Sequence, residues 1–259
     1  MMPKFKCIRC GECCSHIRGL ISDDDKKFLS EFGYGKLPLV QMHPIEKMSF
    51  PLFDFEAKRF LEWAKEVKVE PKIEESRVIF DLERNKTIVV TYHMDADSCP
   101  FLKDKKCLIY DKYRAFICRL FPFNKGPFLS TGDALSKEGM FGSCPAISEI
   151  IEKLDDSDIK VFVKQLHEAF GDDFLNIVQF DYMMEFLNKM IIELMKEKKL
   201  RPAMNYPYEF LMKRIKNSEK IDLMDFLISE GIKSRQEVES LIKRFDNNYD
   251  AKDKLKGYF

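Results

Sequence analysis

The stretch Cys7-Ile8-Arg9-Cys10-Gly11-Glu12-Cys13-Cys14 puts half of the chain's eight cysteines into its first few turns of backbone. Thiolates bind zinc, iron and iron–sulfur clusters, and two of them separated by two residues grip one metal because the chain between turns back on itself. The run Cys7, Cys10, Cys13 matches the wrapping that supplies three corners of a [4Fe–4S] cluster in bacterial ferredoxins, where the fourth ligand is remote and precedes a proline. Two remote pairs of that kind follow, Cys99-Pro100 and Cys144-Pro145, with Cys107 and Cys118 between them. Gly11 lets the loop backbone come close to a cluster. Cys13 and Cys14 are adjacent and point in different directions, so one can face the first centre while the other faces a second centre or the core. Eight thiolates fill two four-cysteine sites; one centre with supporting cysteines fits equally well. Zinc is the alternative metal, but four-cysteine zinc sites usually use two Cys-x2-Cys knuckles and only one half of this set has them. The pattern therefore favours a [4Fe–4S] cluster. Cysteines acting as small buried hydrophobes account for one or two positions, not for this run.

Other residues also carry ligand or charge chemistry, each beside a plainer role. Arg114 and Arg119 flank Cys118 and could offset the negative charge of a four-thiolate cluster or hold an anionic cofactor group; an ion pair with Asp111 or another acid is the plainer reading. His16 and His93 lie near the cysteines and have ligand chemistry, although a lone histidine is more often structural. Asp95 and Asp97 cap a turn or enter a site. Tyr110 and Tyr113 read as packing residues, and Met183, Met184, Met190 and Met195 as core or partner surface. His43 and His167 carry no signal.

The chain has 259 residues, with 43 Lys+Arg and 43 Asp+Glu. That length buries a core without staples. Zero formal charge lacks the basic excess of a general nucleic-acid binder. The start, Met1 to Cys7, has no apolar region of the kind a secretory leader needs. No run reaches the roughly 20 apolar residues of a membrane span. The expectation is a cytoplasmic protein, where clustered cysteines bind metals more often than they form disulfides. Glycine-rich nucleotide loops and the Cys-x3-Cys-x2-Cys radical spacing are both absent.

These residues need elements to position them. Ser22 and the acids after it predict a helix start, with Phe28, Leu29 and Phe32 on its apolar face and Gly33 or Gly35 as its stop. Residues 36–53, rich in proline, read as ordered loop. Phe60, Leu61, Ala64 and Val67 predict a helix over 55–67. Residues 77–82 and 87–93 predict a hairpin, joined by a polar turn at 83–86. A long helix is expected over 172–199. Ser234-Arg235-Gln236-Glu237 reads as a capping box for a last helix. The fold class expected is α+β, predominantly helical: a cysteine-cluster metal-binding domain with a hairpin over residues 1–150, and a helical C-terminal region over 151–259.

The motifs then resemble a known family. Cys-x2-Cys-Gly-x-Cys-Cys, followed by Cys99-Pro100-Phe101-Leu102, Cys107-Leu108-Ile109-Tyr110 and Cys118-Arg119-Leu120-Phe121-Pro122, are similar to the YkgJ-like cysteine-cluster family over about residues 7–145. The resemblance implies a zinc- or iron-chelating domain whose ligands are Cys7, Cys10, Cys13, Cys14, Cys99, Cys107, Cys118 and Cys144. Its flagellin lysine N-methylase members imply, as an alternative, S-adenosylmethionine-dependent methyl transfer to a protein substrate. Where the family has Arg-Pro, this chain has Arg114-Ala115, which changes the local turn and not the ligands. The helical tail lies outside the resemblance, and family membership does not fix an activity.

Overall fold

The predicted hairpin is the centre of a five-stranded sheet in the computed structural model, which describes residues 1–18, 23–49, 51–123, 141 and 144–258. The Ser22 cap lies outside the described residues. The strands are β1 (Val40–Gln41), β2 (Pro51–Phe53), β3 (Ile73–Asp81), β4 (Lys86–Met94), β5 (Leu102–Lys103), β6 (Lys106–Cys107) and β7 (Glu219–Asp222). β3 and β4 pair antiparallel along their length, closed by a turn in which Asn85 is left-handed (φ 53). β1 extends the sheet beyond β3. On its other edge β4 pairs antiparallel with β2 at residues 91–93 and parallel with β7 at residues 86–89.

Around residues 78–81 and 87–91 the central strands are buried on both faces, so their hydrophobics there run nearly unbroken rather than alternating. Val78, Phe80 and Val89 pack with Ala203, Leu211 and Ile215. The chain divides into two compact units, each assembled from separated stretches: Met1–Cys13, Arg114–Asn188 and Ser240–Phe259 form the first, Cys14–Tyr113 and Lys189–Glu239 the second. Neither follows a division at residues 1–150 and 151–259.

The second unit holds the sheet and the helices Asp54–Glu66, Tyr208–Asn217 and Leu223–Ser229. The helix ending at Phe32 stops as expected; Gly35 adopts φ 101, and a Cβ there would meet Tyr206 O at 2.8 Å. The region 36–53 is not all loop, since it carries β1 and β2. The first unit is helical around one core, where Phe123, Phe141, Ile147, Phe162, Phe170 and Phe174 meet. The long helix runs Leu175–Lys196, preceded by a 3-10 turn, and carries the chain from the first unit into the second. The capping box forms: Glu237 N–H donates to Ser234 Oγ at 3.2 Å, and Ser234 N–H to Glu237 Oε2 at 2.7 Å. The fold is α+β with helix predominating. Among the described residues, no helix is long and apolar enough to cross a membrane.

Candidate metal centre

The N-terminal segment is fixed to the first unit before it reaches its cysteines. Met2 is buried in that core, Phe5 N–H donates to Ala169 O at 2.8 Å, and the Phe5 ring lies 5.2 Å from Phe170. The cysteine loop then turns through two left-handed residues, Arg9 (φ 55) and Gly11 (φ 82). Each left-handed residue reverses the chain locally, between Cys7 and Cys10 and again between Cys10 and Cys13. Arg9 N–H points at Cys7 Sγ, 3.4 Å away. Backbone N–H groups aimed at sulfur are the contacts that surround cluster thiolates.

Cys144 reaches the same neighbourhood from a remote stretch. It caps the 3-10 turn Pro145–Ile147 and packs, half-buried, against the core that holds Phe5. Its thiol is pushed above the ordinary range, first by burial. The Ala146 N–H opposes that shift, and charge on Cys10, Cys7 and Cys13 adds to it. Phe5, two residues ahead of Cys7, packs against that same core, so Cys144 and the start of the cysteine loop are seated on one part of the first unit. Cys144 and the three loop cysteines all belong to the first unit.

Cys118 also lies in the first unit, on the short helix Phe116–Leu120. Arg114 donates to its carbonyl oxygen. Arg119 lies over the Phe116 ring at 4.5 Å and donates to Asp246 O at 3.1 Å. Both arginines thus bind protein groups, Arg119 an acid other than Asp111.

The second unit holds the other three cysteines. Cys13 and Cys14 sit on one helical turn, Glu12–Ser15, where neighbours diverge by about 100°. Cys99 N–H donates to Cys14 O at 2.7 Å, and Ile17 N–H to Asp97 O at 2.9 Å. Cys99 O accepts from Leu102 N–H at 2.9 Å across a turn with Pro100 at its second position. Leu102 is paired with Cys107. Asp104 (φ 50) and Lys105 (φ 59) close that small hairpin as a type I′ turn. Phe101, fully buried edge-on to Phe60 at 4.6 Å, anchors it.

Asp95 and Asp97 are turn and ion-pair residues. Arg18 bonds Asp95 Oδ1 at 2.5 Å and Asp97 Oδ1 at 3.2 Å, and Lys72 also pairs with Asp95. Tyr113 packs as expected, stacked on Trp63 at 4.9 Å. Met183 and Met190 are core residues, and His16 is exposed. His93 is buried and stacked on His43, a pairing that neither sequence neighbourhood signals.

No two cysteines are joined in a disulfide. Among the described residues, no three His, Cys, Asp or Glu side chains are drawn together closely enough to hold a metal ion as they stand. The structure therefore gives a shared neighbourhood for Cys7, Cys10, Cys13 and Cys144 rather than a closed coordination shell. The donor set, four sulfurs with N–H groups at Cys7 and Cys144, fits a zinc ion or an iron–sulfur cluster.

Against known proteins, the CxxCxxCC family model, described as a "Putative zinc- or iron-chelating domain", matches residues 6–145. No curated protein and no solved structure matches the chain.

Proposed function

The chain belongs to the CxxCxxCC family of zinc- or iron-chelating domains, whose match covers more than half of its length; from that premise we propose that it is an iron–sulfur protein acting as a redox or binding module. Cys7, Cys10, Cys13 and Cys144 are the ligands of a [4Fe–4S] cluster. The observation that carries this reading is that Cys144 packs against the same core that anchors Phe5, two residues ahead of Cys7. The three-cysteine wrap with a remote Cys-Pro supports iron–sulfur over zinc, because it lacks the second knuckle of a four-cysteine zinc site.

When bound, such a cluster supplies a one-electron couple whose potential follows its hydrogen bonds, charge and exposure. The chain's own part is to hold and tune it. Arg9 and Gly11 set the loop. Pro145 begins the 3-10 turn that aims Ala146 N–H at the fourth sulfur. Cys14, Cys99 and Cys107 serve a separate set in the second unit.

The test is isolation without oxygen followed by metal and sulfide analysis. The expected product is brown and holds iron and acid-labile sulfide in equal amounts. A colourless protein with stoichiometric zinc and no sulfide overturns the iron–sulfur reading and leaves the zinc alternative.

A further inference from the structure

Inside the second unit two imidazoles lie face to face. The His43 and His93 ring centroids are 3.7 Å apart and the planes differ by 15°. His93 is 1% exposed and His43 8%. Buried polar groups ordinarily find partners, yet among the described residues neither ring nitrogen of His93, nor Nδ1 of His43, has a hydrogen-bond partner. The hydroxyl of Thr91, two residues before His93 on β4, is likewise buried and without one.

A shared metal does not explain the pair. Imidazole binds through a lone pair in the ring plane, at about 2.0–2.1 Å from zinc. Two parallel stacked rings cannot both aim such lone pairs at one ion.

The hydrogen bonds fix the protonation state instead. Arg77 Nε donates to Gln41 Oε1 at 3.4 Å, which turns the Gln41 amide nitrogen toward His43. That nitrogen lies 3.0 Å from His43 Nε2. An amide NH2 only donates, so His43 Nε2 must accept. Taking up one solvent proton there sets two donors against each other and puts a cation on the face of the neighbouring imidazole.

We infer that the His43–His93 stack is an acid-operated latch, closed while both rings are neutral and released when one of them is protonated. It secures the end of β4. Met94 closes that strand, and Asp95 and Asp97 beyond it hold Arg18 and Ile17. Cys99 then bonds Cys14. Release loosens the backbone contact that sets those two cysteines. The latch itself rests on no metal.

The charged groups around it come from every neighbouring element. Arg77 and the Glu75 backbone on β3 face His43, the latter without a well-aligned bond, and Asp95 acts on it from beyond β4. Glu74 on β3 and Asp95 draw His93 toward the charged form, while Arg18 and Lys72 oppose. Burial outweighs these and holds both rings below the ordinary histidine range.

Hydrogen exchange of the full-length protein tests the latch, as protection corrected for intrinsic rates between about pH 7.5 and 4.5. Segments 14–18 and 95–102 are expected to lose about tenfold or more of their protection as the pH falls, ahead of the first unit. His43→Phe keeps a stacked ring that takes no proton, and the loss should move to lower pH. Unchanged protection in the wild type, or the same loss in His43→Phe, overturns the proposal. Where the variant does not fold, ring-proton NMR of the wild type decides. Histidine resonances 43 and 93 titrating near about 6.5 with no structural change also overturn it. None of these readouts requires the metal reading to hold.

Discussion

Charge on Cys10 raises the proton affinity of Cys144, whose thiol is already pushed up by its burial. Two residues from opposite ends of the family match thus share one electrostatic environment. The same core that anchors Phe5 also seats Cys144, so the helices of the first unit bring them together.

The small cysteine hairpin turns through two left-handed residues, neither of them the Asn-Gly such a turn prefers. Replacing Asp104 by Asn and Lys105 by Gly should stabilise the second unit by about 0.5–1 kcal/mol. Urea denaturation checks it. A fall in stability would show that these side chains do more than occupy the turn.

Phe101 holds the same hairpin to the helix Asp54–Glu66 through Phe60. Phe101→Ala empties a fully buried site and should cost about 3–5 kcal/mol. Denaturation of the second unit measures the loss. A cost below about 1 kcal/mol would mean the hairpin is held elsewhere.

Arg119 joins the Phe116 ring to the Asp246 carbonyl. Arg119→Gln should lower stability by about 1–3 kcal/mol while leaving metal content unchanged. Loss of metal with stability intact would instead assign this arginine to the cluster or its ligand, the role its place beside Cys118 suggests in the sequence.

Burial pushes Asp181 up to about 7, offset only in part by Lys254. Its Oδ2 has no hydrogen-bond partner among the described residues. The folded value lies above the ordinary 3.8, so the native state keeps its proton where the unfolded chain has lost it. The stability this confers is complete below about pH 4 and is lost as pH rises toward about 7. Asp181→Asn should therefore be more stable than the wild type at pH 8, by about 1–3 kcal/mol, and no more stable at pH 4. Thermal unfolding at the two pH values checks it. Equal effects at both would remove the titration from the account.

The sequence made local features readable. Apolar runs rich in β-branched and aromatic residues, joined by an Asn-bearing polar turn, announced β3 and β4. Ser234 and Glu237 announced their helix, and the three-cysteine spacing announced the metal chemistry. What it concealed was non-local. β7 joins the sheet parallel to β4 from a stretch whose residues Glu219 to Asp222 are largely polar. β1 is two residues long and exists because β3 offers it an edge. Cys99 and Cys144 are both followed by proline, and nothing in the chain itself distinguishes them. Only folding assigns Cys144 to the loop cysteines and sets Cys99 against Cys14. His43 and His93 gave no pattern because their partnership depends on β1, β3 and β4 being assembled.

In the proposed site, Cys144 completes the set begun by Cys7, Cys10 and Cys13. The direct measurement is the metal content of Cys144→Ser beside the wild type, both isolated without oxygen, with circular dichroism to confirm the fold. The account predicts that the folded variant loses most of its iron and sulfide. A folded Cys144→Ser protein with wild-type iron and sulfide would contradict it.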